Sequence, residues 1–462
     1  MSEDATTGGA ARAPAAVPRA RSRGAGAPIV IGLIGAGVVG EGVLRLLRDN
    51  ASTIEARLGG AIRVKRVVAR REDKARGGAV PASAISFDPN DVLGDPEIEI
   101  VVEVVGGLEP AGSFVRRAIE AGKSVVTANK ALLAAHGHEL IELAEARGVD
   151  LYFEASVGGG IPIIRVLREA LASDRIVALR GIVNGTSNYI LTRMRDERSD
   201  FDVALRAAQA AGYAESDPTL DVNGGDAAHK LTILATLAWG AKIDHAQIQT
   251  EGITRVASID IEYAERFGYV IKPLAVARAH EGGALELRVH PALVDRRSVL
   301  ASVSGALNAI HVEGAALGPC MLSGYGAGAL PTAVSVVSDI VDVGRNLLAD
   351  ARGRVPTRAF RGEHLVTVPI RDGREQRCRW FLRFSPRDLP GVLARIAGIL
   401  GAFDVTIAQL VQEERVAGSE RPVSIVVLTH EARAGDVADA LREVDGLASI
   451  AEPTYALRIE EG

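Results

Sequence analysis

The chain has 462 residues, 47% of them apolar and 24% charged, which suits a soluble globular protein of about two to four domains. Its 53 Lys and Arg against 58 Asp and Glu leave a net charge of −5, without the basic excess that a nucleic-acid binder carries. Cys320 and Cys378 are too few for a disulfide framework or a cysteine zinc site and read as reduced thiols of a cytoplasmic protein. No apolar run has the length of a membrane span.

Residues 1–27, rich in Ala, Gly, Pro and Arg, lack the apolar centre of a secretory signal and read as a disordered tail. From Pro28 the pattern alternates. Apolar or β-branched runs at Ile29–Ile34, Ile62–Ala69, Glu99–Val105, Val125–Thr127 and Asp150–Phe153 are separated by helical patterns at Val38–Arg48, Phe114–Ala121 and Leu140–Arg147. That alternation predicts a parallel sheet covered by helices, a Rossmann-type domain over 28–155. Segment 156–345 carries glycine clusters, helical patterns, and strands at Ile176–Val183, Ile271–Ala279 and Leu285–Val289; it is expected to form an α+β substrate and dimerisation domain. Residues 346–377 show little periodicity and read as a linker. Segment 378–462 then runs strand Phe381–Phe384, helix Val392–Ala402, strands Val405–Val411 and Val423–Thr429, helix Gly435–Val444 and a last strand near Ser449–Tyr455. That is the βαββαβ order of a ferredoxin-like unit.

The first strand leads into Gly35-Ala36-Gly37-Val38-Val39-Gly40, which opens a helix. Glycines there permit a tight turn and let the backbone approach a pyrophosphate at the positive helix end. The glycine spacing alone also fits a plain turn; its place between the first strand and a helix favours a dinucleotide. The second strand ends in Val68-Ala69-Arg70-Arg71, with Lys74 nearby. Arginine there suits a 2′-phosphate, so NADP is favoured over NAD, against the alternative of an ordinary solvated loop.

Five segments carry a resemblance: Val126–Leu133 (VTANKALL), Phe153–Pro162 (FEASVGGGIP), Gly181–Tyr189 (GIVNGTSNY), Gly212–Lys230 (GYAESDP through DVNGGDAAHK) and Gly324–Thr332 (GYGAGALPT). In order and spacing, across 28–345, they resemble the homoserine dehydrogenases, NAD(P)-dependent oxidoreductases that interconvert L-homoserine and L-aspartate 4-semialdehyde. With no kinase-sized region before residue 28, the expected form is the stand-alone dehydrogenase. The resemblance assigns the proton donor and acceptor to Lys230 and pairs it with Asp226. By spacing alone these two share a helix face, which also describes a common surface ion pair. It further implies Glu215 as partner of the substrate ammonium, where the bland alternative is turn stabilisation. Lys130 is implied beside the nicotinamide and substrate, and Gly326 beside the cofactor. A monovalent cation such as sodium is implied at Glu154 with the carbonyls of Val157, Gly159 and Ile161. His229 and His311 have no metal-ligand spacing.

Residues 378–462, with the turn Arg387-Asp388-Leu389-Pro390-Gly391, resemble ACT domains, small modules that sense amino acids. The implied effector of this homo-oligomer is threonine, its carboxylate held by backbone donors of the turn. Coupling is expected to pass through contacts between subunits or domains and not through the linker itself, and a cut near residue 375 is expected to keep activity and remove regulation. Two rivals remain: a non-catalytic sensor of a dinucleotide and an amino acid, and a dehydrogenase of another small amino or hydroxy acid. A sensor has no need of Glu215, Asp226 and Lys230 together.

Overall fold

The computed structural model describes residues 27–70, 81–412 and 424–461. The tail reading and the basic residues Arg71 and Lys74 fall outside these segments. The first strands are β1 (Ile29–Ile34), β2 (Ile62–Val68), β3 (Ile85–Ser86), β4 (Ile100–Glu103), β5 (Ser124–Thr127) and β6 (Leu151–Tyr152). They form a parallel sheet in the order β3-β2-β1-β4-β5-β6, the doubly wound arrangement. Central β1 is buried at every residue, as its unbroken apolar run requires of a strand covered on both faces.

Helices α1 (Val38–Asp49), α2 (Ala51–Leu58), α3 (Asn90–Leu93), α4 (Ala111–Glu120) and α5 (Lys130–Arg147) cover this sheet. In α4 the buried residues Ala111, Val115, Ala118 and Ile119 fall on one stripe.

The middle region holds α6 (Ile163–Arg165), β7 (Ile176–Ile182), α7 (Gly185–Glu197), α8 (Phe201–Ala210), α9 (Thr219–Val222), α10 (Gly225–Trp239), β8 (Gln249–Thr250), α11 (Ser258–Arg266), β9 (Tyr269–Ala279), β10 (Leu285–Asp295), β11 (Leu307–Gly314), β12 (Gly318–Tyr325) and α12 (Ala329–Leu348). Its long strands form an antiparallel run, β12-β11-β7-β9-β10. Helix α10 is buried almost all round, packed between α5 and strands β9 and β10. That explains its apolar sequence and makes the charges of Asp226 and Lys230 conspicuous.

Two features of the packing go beyond these domain bounds. Helix α12, expected in the middle domain, packs Ala333, Val336, Val337 and Ile340 into the core that also holds Ile29, Ile31, Leu33 and Val43 of the first domain. Periodicity reports that a helix is amphipathic and not which sheet receives its apolar face. Nor is 346–377 a free linker. Arg358 is fully buried and pairs with Glu145 at 2.8 Å, while Val366 bonds along Gly240–Lys242 and Pro369 and Arg371 along Leu285. Its anchors are widely spaced, which is why no periodicity showed.

The last elements are β13 (Arg377–Pro386), α13 (Val392–Ala402), β14 (Ile407–Gln412), β15 (Ile425–Thr429), β16 (Ala432–Arg433), α14 (Ala434–Asp445) and β17 (Ile450–Glu460). Their sheet order, β17-β13-β15-β14, is that of a ferredoxin-like unit. Strand β17 also pairs in parallel with β10 through Ala292–Arg458, Leu293–Ile459 and Val294–Glu460, so the module's sheet continues the middle sheet. One apolar core joins Ile261, Tyr263, Ile271 and Leu293 to Phe381, Val426, Tyr455 and Leu457. The expected detachable module is therefore fused in backbone and core to the middle region. No helix among the described residues is long and apolar enough to cross a membrane.

Candidate active site

The C-terminal edge of the first sheet gathers three turns. After β1, Gly35 adopts φ +113°, and a Cβ there would strike the backbone of Val104 at 2.8 Å. At Gly40 a Cβ would run into the carbonyl of Gly35, whereas at Gly37, which precedes α1, it would meet open space. The first and last glycines are thus required by packing. The middle one leaves the helix end clear for a ligand, the cradle a pyrophosphate needs. Val38 is exposed at this mouth, while Ala36 and Val39 pack inward.

After β4, buried Glu103 accepts the backbone N–H groups of Val105 (2.7 Å) and Gly106 (3.1 Å) and the Thr127 hydroxyl (2.6 Å). Asn129 caps α5 by accepting from the N–H of Leu132 and donates to the carbonyl of Gly107 at 2.7 Å. These bonds lace the exits of β4 and β5 together and fix Lys130 at the start of α5.

Across the cleft, Lys130 Nζ lies 2.9 Å from Asp226 Oδ1, and Lys230 Nζ lies 2.7 Å from Asp226 Oδ2. Lys230 also donates to the carbonyl of Val183 at 2.6 Å. An ammonium has three donors. Two are committed, which leaves one for a reacting oxygen. Burial pulls the Lys230 ammonium below its ordinary range, and Asp226 compensates only in part. Burial acts the same way on Lys130, but the Asp226 carboxylate outweighs it, so Lys130 ends above its usual value. Burial alone would raise the Asp226 carboxyl; the two ammonium groups hold it well below the usual carboxylate range.

Asn184, whose side-chain oxygen caps α7, donates its amide N–H groups to Asp221 and Asp226, each at 2.8 Å. Neither Asn184 nor Asp221 was given a role on sequence grounds, although both stand inside the quoted segments. The one signal available was an Asn immediately before Gly-Thr-Ser, in helix-capping position. Glu103 was missed too; its signal was a carboxylate ending an apolar strand. Glu215 is exposed on the 211–218 loop, near enough for its charge to help raise Lys130.

Arg70 is exposed directly after β2. Gly326 lies where a Cβ would collide with the Asn308 side chain, and its carbonyl blocks a Cβ on Gly159. The Ala329 carbonyl at the start of α12 likewise blocks a Cβ on Gly42 of α1, so the 326–329 loop lies alongside the glycine-turn helix. The Glu154 carboxylate is buried and accepts the N–H groups of Ile164 and Arg165, both at 2.9 Å. Its own N–H donates to Asp339, whose carboxyl is pushed up to about 8 by burial and by the neighbouring Glu154 charge. The Gly159 carbonyl accepts the Ser335 hydroxyl, and Val157 and Ile161 are buried beside it. Among the described residues no group of three or more His, Cys, Asp or Glu side chains is disposed to hold a metal.

A hydride donor needs a cradle beside a group that can give or take a proton. The sheet edge supplies the first, and through Lys130 it meets Asp226 and Lys230 of α10, which supply the second, so the fold and site define a dinucleotide-dependent dehydrogenase. Comparison with known proteins carries this further. The family model for homoserine dehydrogenase matches residues 162–341, that for its NAD binding domain 35–154, and the ACT domain model 381–446. A homoserine dehydrogenase from Pseudomonas aeruginosa is 43% identical, with 94% of this chain and 99% of that protein covered. The crystal structure of a homoserine dehydrogenase from Thiobacillus denitrificans is 46% identical and superposes with a TM-score of 0.89 over 94% of this chain and 99% of that one. A hyperthermophilic archaeal homoserine dehydrogenase in complex with NADPH is 26% identical, with a TM-score of 0.58 over 69% of this chain and 98% of that one. The chain belongs to the homoserine dehydrogenase family, with an ACT domain at its C-terminus, and is an oxidoreductase acting on a CH–OH group with a nicotinamide dinucleotide.

Proposed function

We propose that the enzyme interconverts L-homoserine and L-aspartate 4-semialdehyde with Lys230 as proton donor and acceptor. The observation that carries this is the Lys230–Asp226–Lys130 cluster, in which Asp226 and Lys230 are buried and Lys130 is partly exposed at the sheet edge that carries the dinucleotide cradle. A bound nicotinamide supplies or takes the hydride. As the aldehyde carbon gains hydride, its oxygen gains negative charge and takes the free proton of Lys230. The neutral amine that results stays anchored on Asp226 and Val183. In the oxidation direction the same amine accepts the hydroxyl proton. Lys130 and Asp226 hold the reacting oxygen and Lys230 in register, and Glu215, with Asp226, receives the substrate ammonium. Lys230→Met should lower kcat by about two to four orders of magnitude, the usual worth of a positioned acid or base, in an NADPH-consumption assay with aspartate semialdehyde. Near-normal turnover in a folded variant would remove Lys230 from the mechanism. Glu215→Ala should raise KM for homoserine and leave that for the dinucleotide unchanged.

NADP in preference to NAD is supported by exposed Arg70 at the end of β2 and by the NADPH complex of the archaeal relative. The oxygen-only donors at Glu154, Val157, Gly159 and Ile161, beside a second buried carboxylate, suit a hard monovalent cation such as sodium. No proton step depends on it. The ACT domain supports a free amino acid as effector, threonine by the logic of the pathway's end product, acting in a cytoplasmic homo-oligomer.

A further inference from the structure

Where the ACT domain meets the middle region, a cavity of about 210 Å³ opens between the 373–374 turn, α14 and the strands β13 and β17. It is below the roughly 300–1,000 Å³ of pockets that take drug-sized ligands, too small for a dinucleotide. One wall is apolar, built by Trp380, Val437 and Leu441. The rest carries charges of both signs, from Arg374, Arg458 and Glu251. Arg458 is more than nine-tenths buried. It donates Nη1 to Glu251 at 3.3 Å and stacks its guanidinium 4.9 Å over the Trp380 ring, and its Nε has no partner. Arg374 is half exposed and bonds to Asp439 at 2.7 Å. A small molecule with a carboxylate, an ammonium and a short side chain complements this lining. Guanidinium groups suit the first, the Glu251 carboxylate the second and the indole wall the third.

The floor of the cavity leads to the active site in very few residues. The N–H of Glu251 bonds to the Val289 carbonyl at 2.8 Å, and that of Ile253 to the Val222 carbonyl at 2.9 Å. Between them Gly252 has no room for a Cβ, because the backbone of Val222 and Asn223 fills the place. Asp221 is the next residue, and Asn184 ties it to Asp226. A ligand that engages Glu251 therefore pulls on a segment clamped to the loop that precedes the catalytic helix.

We propose that this seam cavity binds a small free α-amino acid and that segment 249–253 carries its occupancy to Asp221 and Asp226. The inference rests on the reading of the ACT domain as an amino-acid sensor. It moves the ligand away from the Asp388–Gly391 turn, which is exposed and contributes no residue to the lining of the seam cavity.

The test is calorimetric titration of the full chain with L-threonine, then with the other proteinogenic amino acids, alongside the NADPH assay. Ala438→Trp fills the cavity from an exposed position on α14 and should weaken binding and inhibition at least about tenfold with basal turnover unchanged. Arg374→Ala, also outside the core, should weaken both as well. Gly391→Ala, which alters the turn, should bind like the parent. Hydrogen exchange at residues 249–253 should slow when the ligand is added. Unchanged affinity in both cavity variants, with loss in Gly391→Ala, overturns the seam site and leaves the sensor reading standing. Exchange unaltered at 249–253 overturns the proposed route. Failure of the parent chain to bind any amino acid removes the sensor reading, and the seam site with it.

Discussion

The middle region of the protein is joined to its neighbours in two different ways. Toward the first domain the contact is helix against helix, α12 on α1 and α5 on α10, and beside the second pair Lys130 reaches Asp226. Toward the ACT domain the contact is a backbone ladder, β10 on β17, sealed by ion pairs that see little water. Arg383 grips Asp260, which is fully buried, and Arg288 joins Glu286 and Glu460. The first seam leaves a cleft for ligands. The second has no slack, since a ladder cannot slide without breaking every bond in it. A reacting site needs the first kind of joint; a joint that passes strain between domains is better served by the second.

The largest expected effect breaks the second seam. A stop codon at residue 376 removes β13 through β17, bares Leu293, Ile271 and Tyr263, and strands Asp260 without its arginine. We expect aggregation and loss of activity rather than a desensitised enzyme, measured by size-exclusion chromatography and turnover. The point variant Arg383→Ala should lower stability by about 3–5 kcal/mol, the cost of leaving a buried charge unpaired, and depress the thermal midpoint. A soluble, fully active truncation would show the ladder to be ornamental and restore the tethered module.

Next comes the lacing behind the first seam. Asn184→Ala leaves the buried Asp226 and the neighbouring Asp221 each short of a donor. A buried acceptor left unsatisfied costs about 1–3 kcal/mol, so kcat should fall about ten- to hundredfold with cofactor binding unchanged. If KM for NADPH moves instead, Asn184 serves the cradle and not the proton cluster.

The two seams were unequally legible in the sequence. Helix Val392–Ala402 is legible to the residue, because Gly391 and the spacing of Val392, Ile396 and Leu400 mark both its start and its buried face. Of the pairing of β17 with β10 nothing was visible, since a strand's own alternation does not name its partner. The hairpin β11–β12 escaped as well: β12 is an edge strand with mixed exposure and no apolar run. At the site, Lys230 and Asp226 were marked by a motif with helical spacing. Asn184, at the cap of α7, and Asp221, on α9, belong to separate elements, and only the fold ties them to Asp226 through the Asn184 amide.

A pH profile sharpens the first seam further. Homoserine oxidation needs Lys230 as the neutral amine, so kcat should rise with pH through the Lys230 pKa. Burial sets that pKa below its ordinary range, and the like charge of Lys130 lowers it further. Lys130→Met removes a repelling cation and leaves Asp226 wholly to Lys230. Both changes favour the ammonium, so the rising limb should move to higher pH. A limb that stays in place would mean that the two lysines titrate independently, and one that moves down would reverse the assignment.

The smallest effect is expected at the open rim of the first seam. Arg70 is exposed, so water and salt screen whatever it binds, and a single exposed charge pair seldom changes affinity more than about fivefold. Its value is discrimination: NADPH carries a 2′-phosphate where NADH has a hydroxyl, and a guanidinium can meet that phosphate with paired donors. Arg70→Ala should therefore raise KM for NADPH about two- to fivefold and leave KM for NADH unmoved, with the difference shrinking as salt is added. Equal losses for both dinucleotides would mean that Arg70 supports the turn after β2 and does not read the phosphate. The rim of the cleft would then contribute shape alone, and the preference between the two cofactors would have to come from residues deeper in the cradle.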